Sequence, residues 1–409
     1  MNKKLIVIKF GGTSLGDIKR IKKAANIIKK EVKAGKNVIV VVSAIGKTTD
    51  DLQKLINNFN VNADIKEIDS ILSSGEQISS GLMALALNNI GIKSRSFLGW
   101  QIPIITNTNY GKARILDINT NFLKKTLQKG ITPVIAGFQG ISEELRVSTI
   151  GRGGSDTTAV AIASKMSAQR CDIYTDVEGI YTTDPRCIKK ARKIKQLTYD
   201  EMLEMSSVGA QVLEPRSVSL AKKNNLLVTV RSSFKNVSGT KILKSKKIIE
   251  KRHVSGIVFS KNDAKISLLG IPDKPGAAAK IFGSLAKEGI NVDMIVQNIS
   301  VDGKFSDLTF TVLQSDLIKA KKSINEIKKE VGIKNILPDS NVAKISIVGI
   351  GMRTNAGIAE DMFKALAEEK INIDLISTSE IKISVLIARK HILKAINKLH
   401  KEFNLDNKN

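Results

Sequence analysis

Four short stretches hold residue types that chemistry needs. Lys9-Phe10-Gly11-Gly12-Thr13-Ser14 sits where a buried apolar run turns toward a helical pattern. Two glycines let backbone N–H groups approach a phosphate without Cβ interference, and a lysine at a strand end supplies charge for a transferred group. The same pair of glycines also suits an ordinary tight turn. Gly151-Arg152-Gly153-Gly154-Ser155-Asp156-Thr157-Thr158 opens an apolar helical run, Ala159 to Ala168. An arginine and two glycines at a helix N-terminus make an anion site, a reading the spacing favours over Ser155 or Asp156 serving only as a helix cap. A strand-like run ends at Thr175-Asp176, and the loop after it carries Tyr181, Asp184 and Arg186. Strand C-termini in α/β sheets are where ligands bind, and mixed acidic and basic groups there suit a magnesium nucleotide. Gly75-Glu76 lies within a helical pattern, where Glu76 alone reads as a surface glutamate. Gly46-Lys47-Thr48 resembles the end of a P-loop, but Val41 stands where that motif needs glycine, so an ordinary P-loop is excluded.

The elements around these residues alternate. Strand patterns at 4–10, 37–43, 93–98, 103–106, 131–136, 171–176 and 226–231 are interleaved with helical patterns. The helices are expected at 17–34, 48–58, 65–89, 117–129, 155–168, 198–206 and 215–223. Apolar strands alternating with helices predict a parallel-rich sheet sandwiched by helices, an α/β domain spanning 1–235. A Lys/Ser/Gly stretch at 236–253 reads as a linker.

An internal repeat follows. Ala264-Lys265-Ile266-Ser267 matches Ala343-Lys344-Ile345-Ser346, and Gly289-Ile290-Asn291-Val292-Asp293 matches Lys370-Ile371-Asn372-Ile373-Asp374. Each copy reads β-α-β-β-α. The first copy, 264–338, ends with a further strand-like run, Lys334 to Leu337, which the second lacks. The orphan run Val254 to Phe259 is expected to complete the second copy, so that 254–263 joins 343–409.

Composition narrows the partners. The chain has 409 residues and a net charge of +26, with Lys far outnumbering Arg. The basic residues are spread along the chain and aromatics are scarce, so solvated helix faces explain them better than a nucleic-acid surface. Two cysteines, Cys171 and Cys187, make no disulfide framework, and three separated histidines make no metal-ligand spacing. No run of about 18 apolar residues is present. A cytoplasmic protein without membrane contact is expected.

Together the motifs resemble the aspartate kinase branch of the amino-acid kinase family. The resemblance rests on KFGGTS at Lys9–Ser14, Ser43-Ala44-Ile45-Gly46-Lys47-Thr48-Thr49-Asp50, Gly75-Glu76, Ala136–Gly140, Gly151–Ala159 and Thr175–Arg186. The repeat resembles a pair of ferredoxin-like (βαββαβ) ACT domains. The resemblance implies phosphorylation of the L-aspartate β-carboxylate by ATP with Mg²⁺. That reaction would be the first step toward lysine, threonine and methionine.

It further implies that Lys9, Gly11 and Gly12 hold the ATP phosphates and that Asp156 orients Lys9. Glu76 would bind the α-ammonium of aspartate and Arg152 its α-carboxylate, with Thr48 and Ser155 assisting. Thr175, Asp176, Tyr181, Asp184 and Arg186 would surround the nucleotide. The substrate carboxylate is ionised at neutral pH (pKa about 4), so no general base is needed, in keeping with the absence of a motif histidine. End-product effectors, lysine or threonine or both, would meet Asp273, Gly276, Ala277, Ala278, Asn291, Val292, Asp293, Gln297 and Asn298. The facing side would be Asn372, Ile373, Asp374, Ser377, Thr378 and Glu380. A homodimer or higher homo-oligomer through the ACT domains is expected. One departure stands out: relatives carry lysine in GAKVL or GSKIL, whereas this chain has Gln211.

Overall fold

The computed structural model describes residues 4–59, 64–209, 212–244, 254–300, 303–355 and 357–406. Gln211 lies outside them. Two compact units emerge.

The first unit begins with β1 (Leu5–Phe10), α1 (Ile18–Lys33), β2 (Asn37–Val42), α2 (Thr48–Ile56) and α3 (Ile65–Asn89). It continues through β3 (Ser94–Phe97), β4 (Ile104–Thr106), β5 (Ile115–Ile118), α4 (Thr120–Gln128) and β6 (Thr132–Ala136). Then come β7 (Gln139–Ile141), β8 (Val147–Thr149), α5 (Gly154–Lys165), β9 (Arg170–Thr175) and β10 (Gln196–Thr198). The series closes with α6 (Tyr199–Val208), α7 (Pro215–Lys223), β11 (Val228–Ser232) and β12 (Thr240–Leu243).

Eight strands form the main sheet in the order β10-β12-β11-β9-β1-β2-β6-β3. The six from β11 to β3 run parallel, which leaves both faces for helices to bury. Ile6, Ile8 and Phe10 pack on α1 and α3 through Ile21, Ala25, Ile28, Met83 and Leu87. The other face takes α5, whose residues are buried all the way from Gly154 to Ala163. Such a helix must be apolar all round, as Ala159-Val160-Ala161-Ile162-Ala163 is. The sheet extends past residue 235, because β12 pairs antiparallel with β11 and parallel with β10. The Lys/Ser/Gly composition around β12 hides a strand this short. A second small sheet, β5-β4-β7-β8, carries the loops that flank the site.

The second unit holds β13 (Gly256–Ser260), β14 (Asp263–Pro272), α8 (Ala277–Lys287), β15 (Val292–Ile299), β16 (Phe305–Leu313), α9 (Leu317–Val331) and β17 (Asn335–Asp339). The repeat follows as β18 (Val342–Val348), α10 (Gly357–Glu368), β19 (Ile373–Ser379), β20 (Lys382–Ala388) and α11 (Ile392–Glu402). The sheets read β15-β16-β14-β17 and β13-β18-β20-β19. These are two ferredoxin-like folds. β13, which precedes the first copy in sequence, hydrogen-bonds along β18 of the second.

The duplication is expressed as reciprocal ion pairs. Lys265 of the first copy reaches Asp374 of the second at 2.7 Å, and Lys344 of the second reaches Asp293 of the first at 2.6 Å. Lys344 is 4% exposed and also stands 3.4 Å from Asp263. Removing one member of a buried pair leaves an uncompensated charge. Lys344→Ala is therefore expected to destabilise this unit by about 3 kcal/mol, read as an earlier urea transition of the full chain. An unshifted transition contradicts it.

The second unit also includes an excursion, residues 181–192, which leaves the first unit after Ile180 and returns at Lys193. Thr182 N–H donates to the Arg192 carbonyl at its base. Ile188 is buried in the core of the second ACT fold, with Cys187 and Ala191 packed against it. The Thr182 hydroxyl meets His400 Nε2 at 3.0 Å, and Arg192 Nε donates to the Leu405 carbonyl at 2.7 Å. Burial, the largest influence on His400, holds its pKa below the usual histidine value.

Candidate active site

The chemistry-bearing residues of the first unit collect at the C-terminal ends of β9, β1, β2 and β6. β1 lies between β9 and β2, so the chain winds outward from it in both directions. That is the crevice position where α/β sheets bind ligands.

The loops at these ends are laced together by backbone bonds. Gly11 N–H donates to the Tyr174 carbonyl at 3.0 Å, Gly46 N–H to Gly12 at 3.0 Å, and Gly137 N–H to Val42 at 3.0 Å. Gly12 is required by close approach: a Cβ there would stand 2.9 Å from the Ala44 carbonyl oxygen. Gly75 plays the same part on α3, since a Cβ there would lie 2.7 Å from the Ala44 Cβ. The absent side chain lets α3 approach the loop after β2 and brings Glu76 to it. Because the Gly11 N–H is already donated, glycine at that position supplies room rather than a phosphate donor.

Lys9, 8% exposed, projects from the end of β1 and stands 2.6 Å from Asp156 Oδ1, itself on a residue 6% exposed. That oxygen makes no hydrogen bond; the contact is one of charge, off the hydrogen-bond axis. Asp156 belongs to the buried first turn of α5. The helix cap is Gly153, with φ +64° and no side-chain cap bond, so Ser155 and Asp156 are not caps. Gly137 packs over Ser155, to which a Cβ would come within 2.8 Å. Arg152 is exposed on the same loop, four residues before Asp156.

Glu76 is 4% exposed, and its Oε2 is buried without a hydrogen-bond partner. Burial pushes its carboxyl up to about 7; the Ala44 N–H, its own N–H and the Lys9 ammonium oppose that rise without cancelling it. A buried, half-satisfied acid beside a lysine is a receptor for a second cationic group. Thr48 lies close by: its methyl would be 3.5 Å from a Gly75 Cβ, and its hydroxyl donates to the Ile45 carbonyl at 2.7 Å. At the β9 end the Thr175 hydroxyl donates to Asp176 Oδ1 at 3.1 Å.

Three expected nucleotide residues lie on a segment of the second unit. Tyr181, Asp184 and Arg186 belong to the excursion described with the second unit. There Arg186 pairs with Asp184 at 2.8 Å and holds that carboxyl below its ordinary value. Among the expected effector residues, Asp293 and Asp374 already hold lysines of the opposite repeat. Gly276 caps α8 with φ +94°, and β15 and β19 are edge strands.

The structure adds residues that sequence reasoning missed. Glu214 lies against Gly153, where a Cβ would meet its Oε2 at 2.9 Å. Burial raises its pKa, and Asp156 adds to that rise against Arg216 and Arg152. Arg216 donates to the carbonyls of Ile150 at 2.7 Å and Ala113 at 2.9 Å. Asp69 is fully buried on α3. Its only sequence signal is its spacing of seven from Glu76, two turns along one helix face.

Residues 4–232 match the amino acid kinase family, and residues 266–327 and 345–403 match an ACT domain. The aspartate kinase of Pseudomonas putida is 44% identical over 403 residues, 98% of each chain. The aspartokinase of Helicobacter pylori is 46% identical over 406 residues, 98% of this chain and all of that one. The solved aspartate kinase of Clostridium acetobutylicum superposes with a TM-score of 0.79 at 26% identity, covering 98% of this chain and 100% of that one. The chain is thus a kinase whose catalytic half is of the amino acid kinase type. It belongs to the aspartate kinase branch of that family, with two ACT domains after the catalytic half.

Proposed function

We propose that the chain transfers the γ-phosphoryl group of ATP to the β-carboxylate of L-aspartate, giving 4-phospho-L-aspartate and ADP. The observation that carries this reading is the Lys9–Asp156 pair at the end of β1 with the orphaned Glu76 carboxyl beside it. Full-length relatives named for this reaction support it.

The nucleophile arrives ionised, so the protein's task is to bring two anions together and neutralise spreading charge. Lys9 meets the transferring group, held in place by Asp156. Glu76 takes the α-ammonium of aspartate and Arg152 its α-carboxylate, with Thr48 and Ser155 alongside. Gly11 and Gly12 keep the phosphate side of the site open, and Thr175 and Asp176 border the nucleotide. Among the described residues no three His, Cys, Asp or Glu side chains stand together to hold a metal. Mg²⁺ fits this site as an ion carried on the nucleotide phosphates, where it would offset their charge.

The catalytic half on this reading runs through β12, and the regulatory half is the ACT pair with the excursion. A small amino acid, lysine or threonine or both, would bind at Asp273, Gly276, Ala277 and Ala278, where α8 offers an N-terminus. The edge strands β15 and β19 would take a second copy of the chain. The reaction would feed lysine, threonine and methionine formation. Among the described residues no helix is long and apolar enough to cross a membrane, as a soluble enzyme requires.

An ADP-release assay across a panel of amino acids, with and without lysine and threonine, tests the reading. Turnover on aspartate is expected, and its absence overturns the assignment. The pH dependence is equally specific. Only the ionised form of Glu76 holds an ammonium, and burial leaves this group titrating near pH 7. At saturating ATP the aspartate KM should be flat above about pH 7.5 and rise by up to tenfold per pH unit below about 6.5. A KM unchanged across that range contradicts the assigned role of Glu76.

A further inference from the structure

Asp69 is a fully buried carboxylate that the proposed reaction does not use. Its two oxygens accept three hydrogen bonds. Oδ2 takes the Thr149 N–H at 2.7 Å and the Gly111 N–H at 2.9 Å, and Oδ1 takes the Thr149 hydroxyl at 2.7 Å. Both partners lie beside the loop that carries Arg152. Thr149 ends β8 three residues before it, and Gly111 lies against Gly151, where a Cβ would stand 3.1 Å from the Gly111 carbonyl oxygen. The Thr149 carbonyl accepts from the Ala113 N–H at 2.9 Å. Every polar atom of Thr149 is therefore used, and the loop leading to Arg152 is pinned at its root.

Asp69 shares a helix with Glu76. Seven residues separate them, two turns and about 10.5 Å of one rigid element on one face. Building on the proposed binding of aspartate between Glu76 and Arg152, we infer that Asp69 is a positioning residue that sets Arg152 against Glu76. The helix α3 thereby acts as a ruler for the distance between the α-ammonium and the α-carboxylate of the amino acid. Glu76 receives one end directly. Asp69 fixes the other through Thr149 and the Gly111 loop.

The test is a kinetic series on the full chain: D69A, D69N and T149V, with the KM of aspartate and of ATP measured separately. D69A releases the loop and should raise the aspartate KM about tenfold or more, since a misplacement near 1 Å costs up to about a hundredfold. The ATP KM should stay within about twofold. D69N keeps the shape. Its carbonyl can accept both backbone N–H groups, and the Thr149 hydroxyl can turn to accept from the amide. It should return the aspartate KM to within about threefold of wild type. Equal rises in both KM values, no rise in either, or an asparagine variant as poor as the alanine variant overturns the inference. If D69A does not fold, T149V carries the test, because it removes one bond and keeps two. A rise of about threefold in the aspartate KM alone supports the role, and no rise overturns it. A wild-type chain that uses a different amino acid overturns the aspartate assignment alone. The series is then scored on that amino acid, because the α-ammonium and α-carboxylate are common to all.

Discussion

Lys9→Ala is expected to lower kcat by about a thousandfold or more, with ATP affinity changed by less than about tenfold. Lys9 is the cation at the end of β1, nearly buried and held 2.6 Å from Asp156. A positive charge fixed in a dry site acts on the transition state without reorganising. Ground-state binding of ATP draws on the nucleotide's many other contacts and depends less on one ammonium. The variant carries a second consequence. The Lys9 charge opposes the burial that raises Glu76, so its loss pushes Glu76 further toward the neutral form and weakens aspartate binding at neutral pH. Rapid-quench measurement of phosphoryl transfer, with ADP titrated calorimetrically in parallel, reads both effects. A variant that keeps more than about a tenth of wild-type kcat refutes the role given to Lys9.

Glu76→Ala should raise the aspartate KM about a hundredfold while the ATP KM stays within about twofold. The carboxyl is nearly inaccessible, and one of its oxygens has no partner. An ammonium placed there completes the missing bond. Without the carboxyl the ammonium must leave water for an apolar wall, which costs far more than losing a surface ion pair. Initial rates at saturating ATP over a wide aspartate range check the outcome. Aspartate kinetics like those of wild type refute the substrate assignment, and the pH dependence of the aspartate KM should vanish in this variant.

Much of this was legible in the residues. The parallel sheet follows from apolar strands of five or six residues alternating with helices, and β1, β2, β6 and β9 fall where their patterns place them. Lys9, Arg152 and Asp156 stood out as candidates only because several ordered motifs occur together, since a glycine pair beside a charge also suits an ordinary turn. Glu76 could not be read on its own, since a glutamate in a helix looks like a surface residue until Gly75 is seen closing on Ala44. Asp69 was hidden for the same reason. Its partners, Gly111 and Thr149, lie 42 and 80 residues away, and no local pattern reports a contact at that separation. β10 and β12 were missed because three or four residues in a Lys-rich setting carry no period. The alternative in which Ser155 or Asp156 caps the helix fails because the cap is Gly153, in a left-handed conformation two residues before Ser155.

The excursion at 181–192 bears on how a message could cross this molecule. Ile188 is embedded among Ile257, Ile345, Met362 and Ile396, so the segment travels with that core as a stiff insert. Only four residues intervene between Asp176, just past the end of β9, and Tyr181, where the insert begins. A leash of that length stretches at most about 18 Å. A rotation of the second ACT fold thus has a covalent line to the C-terminal end of β9, and needs no relay of side chains to be felt there.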